Sequence, residues 1–187
     1  MNPRLGLSMD DKIILFFGFV RPYKGLDLLL EAMAFPQLRK QNIHLLVAGE
    51  FYGDETSYRN QVKELGLSGN VTFYSSYIAK EDVKNFFCSA DLIVQPYKNA
   101  TQSGITQIAY HFERPMLVTD VGGLSEIVSD GRVGYVVPAR PSEIAERINE
   151  FYVLGKEDEF SRAASVEKQR FSWKTFAGVI MKMASMK

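Results

Sequence analysis

The chain is poor in the residues that most directly announce a site or a compartment. One cysteine, Cys88, among 187 residues leaves no partner for an internal disulfide, and two histidines, His44 and His111, do not complete a zinc set. So few thiols fit a reducing, cytoplasmic compartment. Neither sign of charge dominates, since 22 Lys and Arg balance 22 Asp and Glu. The basic field that nucleic-acid binding draws on is therefore missing. Long apolar runs are missing as well. Ile13 to Phe17 is far too short to span a bilayer, and MNPRLGLSMDDK has no apolar core behind Arg4 that would make it a secretory signal. There is no fixed-period repeat and no low-complexity segment, which argues against a solenoid or a disordered tail. At about 150 residues per domain, the length fits one domain with an appendage.

What the chain does have is a regular alternation. Six short runs rich in β-branched and aromatic residues recur: IILFFG (13–18), IHLLVAG (43–49), NVTFY (70–74), DLIVQP (91–96), PMLVTD (115–120) and GYVVP (134–138). They are apolar at nearly every position, not at every second one, as strands of a parallel sheet covered on both faces must be. Helical stretches lie between them. Leu26, Leu29, Leu30 and Met33 fall at i, i+3, i+4 and i+7 and predict a helix over 24–34 with Pro36 beyond its end. A second helix is expected over 55–65, with Tyr58, Val62 and Leu65 inward and Gly66 as its cap; a third over 80–90 turns Val83, Phe86 and Phe87 inward. The fold class that follows is α/β: a Rossmann-like parallel sheet of about six strands with helices on both faces. After Pro138 only helices are expected, over 141–154, 157–170 and 172–184. The last carries an apolar stripe of Phe171, Trp173, Phe176, Ile180 and Met183, fit for core packing or for covering another domain.

In such a sheet, ligands bind beyond the carboxyl ends of the strands. Three loops there have suggestive composition. In 18–25, Gly18 permits close backbone approach, and Arg21 and Lys24 bring two cations where a diphosphate could be neutralised; two solvated cations at a glycine turn is the plainer alternative. It is not a Walker loop, because GxxxxGK[ST] does not occur. In 96–107, small residues around Ser103, Gly104, Ile105 and Thr106 open a helix, exposing N–H groups and a partial positive charge beside Lys98; simple N-capping by Thr101 or Ser103 explains them equally. In 120–126, the Gly122-Gly123 pair lets backbone pass close to a ligand and Glu126 could accept from a hydroxyl, or the segment is a tight turn. His111 is expected as a packed structural residue, and Cys88 as a small core hydrophobe.

Taken together, FFGFVRPYKGLDLLLEA, LLVAGE, NVTFY, ADLIVQPY, SGITQIAYHFERPMLVTDVGGLSEIV, DGRVGYVVP and the terminal FSW resemble the carboxyl-terminal half of the family 4, or group 1, glycosyltransferases of the GT-B type, over residues 5–183. That resemblance implies one half of a two-domain fold: a linker remnant over 1–12, a nucleotide-sugar-binding domain over 13–170, and a helix over 171–187 that crosses to an N-terminal acceptor domain preceding Met1. It implies a nucleotide-diphosphate sugar as the donor partner, a glycan or lipid-linked acceptor, and retaining transfer that needs no metal or other cofactor. It further implies a cytoplasmic place, peripheral to the inner membrane of a bacterium, with any membrane contact made through the absent half.

By position, Lys24 matches the lysine that contacts the donor diphosphate. The family's arginine position after the glycine holds Phe19, so Arg21 is the expected substitute. Ser76, Tyr77 and Ile78 match the stretch that meets the nucleobase. The Glu-x7-Glu acids of the family fall at Ala100 and Ile108, so both carboxylates are missing, and Thr101, Gln102 and Gln107 are left to hydrogen-bond sugar and ribose. Gly122 and Gly123 match the loop after the fifth strand. No catalytic base is assigned. The competing expectation is a nucleotide-binding or interaction module that has lost catalysis.

Overall fold

The computed structural model describes residues 11–172 together with residues 175, 177, 180 and 181. All six apolar runs are strands: β1 (Lys12–Phe17), β2 (Ile43–Ala48), β3 (Val71–Tyr74), β4 (Leu92–Gln95), β5 (Met116–Thr119) and β6 (Gly134–Val137). They form one parallel sheet in the order β3-β2-β1-β4-β5-β6. The chain builds outward from β1 to β3, then crosses back to lay β4 on the other side of β1. That reversal makes the gap between the exits of β1 and β4 the topological switch point, where neighbouring crossovers run to opposite faces and leave a crevice.

The near-continuous apolarity of the strands has the expected cause. Along β1, Ile14 and Phe16 enter one core with Leu26, Leu29 and Leu30, whereas Ile13 and Leu15 enter a second core with Phe86, Phe87 and Tyr110. The first face is covered by α1 (Leu26–Met33), α2 (Pro36–Arg39), α3 (Glu55–Glu64) and α7 (Pro141–Val153), and the second by α4 (Val83–Ser89), α5 (Gly104–His111) and α6 (Leu124–Ile127). The helix α8 (Glu157–Glu167) sends Phe160 to the first core and Ala164 to the second.

Boundaries differ from expectation in understandable ways. The helix expected from Lys24 begins at Leu26, because Lys24 closes a 3-10 turn (Pro22–Lys24) and Gly25 follows in the left-handed region at φ 68°. A Cβ on Gly25 would stand 1.9 Å from the Pro96 carbonyl oxygen, so only glycine lets the β1 and β4 loops close on each other here. Pro36 lies beyond the end of α1 as expected, and it also opens α2 at its first position, where its missing N–H is no loss. The helix expected over 157–170 tightens into a 3-10 segment, Lys168–Phe171, after Glu167. Phe171 lies on Tyr110 with ring centroids 5.1 Å apart. Trp173, Phe176 and Met183 of the predicted stripe, and residues 1–10 of the predicted linker, lie outside the described residues.

Two placements are corrected. Cys88 is exposed, because Phe86 and Phe87 take the inward face of α4 and leave the thiol outside. His111 is exposed as well, since α5 buries Thr106, Ala109 and Tyr110, and the imidazole meets the ring of Phe112 edge-on, 4.8 Å away between ring centroids.

Candidate functional site

At the switch point a cavity of about 550 Å³ opens between the β1 and β4 loops, lined by Tyr23, Lys24, Tyr97 and residues 99–105. Its floor is charged. Lys24 is only 9% exposed, and its ammonium lies 5.6 Å from the centroid of the Tyr97 ring. Burial, reinforced by the nearby Arg21 charge, pushes this ammonium down from an ordinary 10.5 to about 8. No carboxylate pairs with it among the described residues. A buried cation without a counter-ion is unfavourable until an anion arrives, and this one waits beside a helix start.

That helix start is organised by Ser103. Its extended backbone and side chain cap α5: the Ser103 hydroxyl accepts from the Ile105 N–H at 3.2 Å and lies 3.3 Å from the Tyr97 hydroxyl. Burial holds the Tyr97 phenol up at about 12, so it stays a neutral hydrogen-bonding group. Thr106 is fully buried and donates to the Ser103 carbonyl at 2.6 Å, so its hydroxyl secures the turn and is turned away from the cavity.

A second, smaller space of about 250 Å³ adjoins the first through Lys24 and Ile105. Phe17, Ile78, Val83 and Ile105 give it apolar walls; Gly18, Glu50 and Tyr77 stand on its rim. Gly18 is held at φ 95°, and a Cβ there would come 3.3 Å from the Lys24 Nζ, so the missing side chain leaves the ammonium accessible.

The predicted residues separate accordingly. Gly18, Lys24, Thr101, Gln102, Ser103, Gly104 and Ile105 converge on the two joined spaces, with Tyr77 and Ile78 on the second. Others do not. Arg21 lays its guanidinium over the Tyr52 ring, 4.6 Å from the centroid, and lines neither space. Lys98 is paired with Asp27 at 2.5 Å. Gln107 faces a separate, wider cleft of about 770 Å³ between α4 and α5, together with Ile108 and His111. Ser76 is exposed beyond the rim.

The Gly122-Gly123 pair answers a different need from the one expected. A Cβ on Gly122 would lie 1.6 Å from the Ala100 carbonyl oxygen, and the Gly123 N–H donates to the Thr101 carbonyl at 2.9 Å. These glycines let the β5 loop press against the loop that lines the cavity, and so position Thr101 and Gln102. Reasoning from sequence missed Tyr97, Asn99 and Glu50. Tyr97 was legible as the first aromatic after β4, but Glu50 left no signal beyond following a strand.

Among the described residues, no group of three or more His, Cys, Asp or Glu could hold a metal ion, and no helix is long and apolar enough to cross a membrane.

Comparison with known proteins gives this geometry its context. The profile of the family described as "Glycosyl transferases group 1" matches residues 11–153. The chain is 29% identical over 182 residues to the D-inositol 3-phosphate glycosyltransferase of Paenarthrobacter aurescens, covering 94% of itself and 44% of that protein. It thus spans less than half the length of that curated relative. Among solved structures, sucrose-phosphate synthase from Thermosynechococcus elongatus superposes with a TM-score of 0.80 at 22% identity, over 98% of this chain and 47% of that one. Anabaena Alr3699/HepE in complex with UDP-glucose does so at 0.80 and 21%, over 99% and 51%. The fold is accordingly one Rossmann-like half of a GT-B arrangement.

Proposed function

Because the chain belongs to the group 1 glycosyl transferases, we propose that it binds the nucleoside-diphosphate sugar donor of a two-domain enzyme that transfers the sugar, with retention and without a metal ion, to a glycan or lipid-linked acceptor. The observation that carries this reading is Lys24: a buried ammonium with no carboxylate partner among the described residues, facing the start of α5 across a cavity at the switch point of the sheet. Such a site suits a diphosphate. The adjoining apolar space suits a nucleoside, and the Thr101-Gln102 side suits a sugar. A protein of the same fold, Alr3699/HepE, has been solved with UDP-glucose.

In this reading the chain acts on the leaving group. As the anomeric carbon–oxygen bond breaks, negative charge gathers on the diphosphate, where Lys24 and the N–H groups opening α5 stabilise it; losing one donor of this kind typically costs on the order of 10²–10³ in rate. Thr101 and Gln102 hydrogen-bond sugar hydroxyls, and the walls around Ile78 hold the base. No residue of this chain is assigned as a base toward an acceptor, and the domain alone is expected to bind nucleotide and transfer nothing. The cytoplasmic, membrane-peripheral setting expected from the sequence belongs to the same proposal.

Calorimetric titration with UDP, GDP and their sugars tests the reading. One nucleotide should bind, and Lys24→Ala and Ser103→Pro should both weaken it. Silence from every nucleotide, or turnover by this chain alone, would count against it.

A second reading, a nucleotide-binding module without catalysis, is favoured by one observation: the two positions matching the family's acids hold Ala100, on the cavity wall, and Ile108, in the α4–α5 cleft. Sugar transfer to an acceptor by the full-length protein separates the two.

A further inference from the structure

A buried ammonium is ordinarily held by a carboxylate, which neutralises it. Lys24 is held otherwise. Among the described residues no acid pairs with it, and Glu50, which lines the smaller space beside it, makes no ion pair there. The group that faces the ammonium is the Tyr97 ring, whose centroid is 5.6 Å away, within the range of cation–π attraction. That ring is 3% exposed and fixed from several directions. The Thr119 hydroxyl donates to the Tyr97 carbonyl at 2.6 Å, the Tyr23 ring stands 6.2 Å away at an interplanar angle of 81°, and the Tyr97 hydroxyl lies 3.3 Å from that of Ser103.

An aromatic face attracts a cation without cancelling its charge. A carboxylate in its place would compete with an arriving anion for the ammonium, whereas the ring leaves the full charge available. Of the other titratable groups around Lys24, Arg21 on its own 3-10 turn works against the charged form, and Glu50, Tyr77 and Tyr23 line the two spaces. The phenol contributes in a second way. The Ser103 hydroxyl already accepts from the Ile105 N–H at 3.2 Å. Tyr97 and Ser103 carry one hydroxyl proton each and share one hydrogen bond, so whichever donates, the other keeps an O–H without a partner among the described residues, and both residues line the cavity. We propose that Tyr97 is the positioning residue of this site: its ring carries the Lys24 ammonium at the cavity with its charge unspent, and its hydroxyl, paired with that of Ser103, leaves one O–H donor for the same anion. The donor-binding reading supplies the identity of that anion; the hold of the ring on Lys24 does not depend on it.

Carbon-13 NMR of the Lys24 Cε in the unliganded 187-residue chain, assigned by its loss in Lys24→Met, reads the ammonium directly. Tyr97→Phe keeps the ring, and 3,5-difluoro- and pentafluorophenylalanine at position 97 drain the negative charge from its face at nearly constant shape. Lys24 should titrate in Tyr97→Phe as in wild type, then progressively lower with fluorination, by at least about half a pH unit for the pentafluoro ring. The difluoro ring serves if the pentafluoro chain does not fold. Inorganic pyrophosphate, followed by calorimetry, should bind Tyr97→Phe about threefold to tenfold more weakly than wild type, the worth of one hydrogen bond. The pentafluoro chain should be weaker again by about twofold or more at pH 8, and less so at pH 6.5. A Lys24 titration that is unmoved by fluorination, or that moves upward, overturns the role of the ring, and wild-type affinity in Tyr97→Phe overturns that of the hydroxyl. A wild-type chain that binds neither pyrophosphate nor a nucleoside diphosphate overturns the donor-binding reading, while the NMR series still decides whether the ring holds Lys24.

Discussion

The ammonium of Lys24 stands 5.6 Å from the ring centroid of Tyr97, and both side chains are buried where the β1 and β4 loops meet. Burial, with Arg21 adding to it, has lowered the Lys24 pKa to about 8. A bound diphosphate needs the charged form and raises that value again. Affinity should therefore be flat below pH 8 and fall by up to tenfold per unit above it, until the pKa of the bound state is passed. Titrations between pH 6.5 and 9.5 check this, and Lys24→Met should abolish both the binding and its pH dependence.

The same burial has a consequence for stability. The folded pKa lies below the unfolded one, so between pH 8 and 10.5 the unfolded chain binds more protons, and wild-type stability should rise with pH across that window. At neutral pH, Lys24→Met is expected to be more stable than wild type by on the order of 2 kcal/mol, with the advantage shrinking as pH rises past 8. Urea unfolding of both proteins at pH 7 and pH 10 gives the comparison. A site residue whose removal stabilises the fold is one kept for function.

Gly122 sits at φ 55° with the Ala100 carbonyl where its Cβ would be. In Gly122→Ala the β5 loop must withdraw from the cavity loop. We expect a loss of at least about 2 kcal/mol in urea unfolding, and weaker binding of a nucleotide sugar than of the bare nucleotide, because Thr101 and Gln102 move with the loop.

Gln95 is 2% exposed at the end of β4, and neither polar atom of its amide has a hydrogen-bond partner among the described residues. Replacing it with Leu removes that desolvation penalty in nearly the same volume. Gln95→Leu should gain about 1–2 kcal/mol, which in a chain of this length is a few degrees in Tm by calorimetry.

Glu167, 3% exposed at the end of α8, gathers the Ser129 hydroxyl, Arg170 at 2.6 Å and Arg132 at 3.6 Å. It ties α8 to the segment just before β6. Both arginines are largely in water, so their loss leaves no buried charge, and Glu167→Gln should cost only about 1–3 kcal/mol. Loss of the thermal transition in this variant would mean that the cluster does far more than tie one helix.

The sequence by itself determined the alternation of six strands with helices, the burial of both sheet faces and the loops that gather at one edge. Runs such as IILFF and LIV are apolar at every position only when both faces are covered, and that is a local property. Lys24, Ser103 and Gly18 were legible for a related reason, since a glycine or a cap after a strand has a local backbone cause. Which side chains share a space was decided by tertiary structure alone. Arg21 and Lys24 stand three residues apart, yet Tyr52 from another loop takes the first and Tyr97 from another strand's exit takes the second. Gln107 and Ser103 belong to one short helix and its cap, yet open on different cavities, because Ser103 stands in extended backbone at the helix end, facing the gap between the β1 and β4 loops, whereas Gln107 lies a turn further along, beside α4. Glu50 acquires its place from the order β3-β2-β1 and from the parallel bridge between Val20 and Phe51. Those relations join residues distant along the chain, and no periodicity within a single segment carries them.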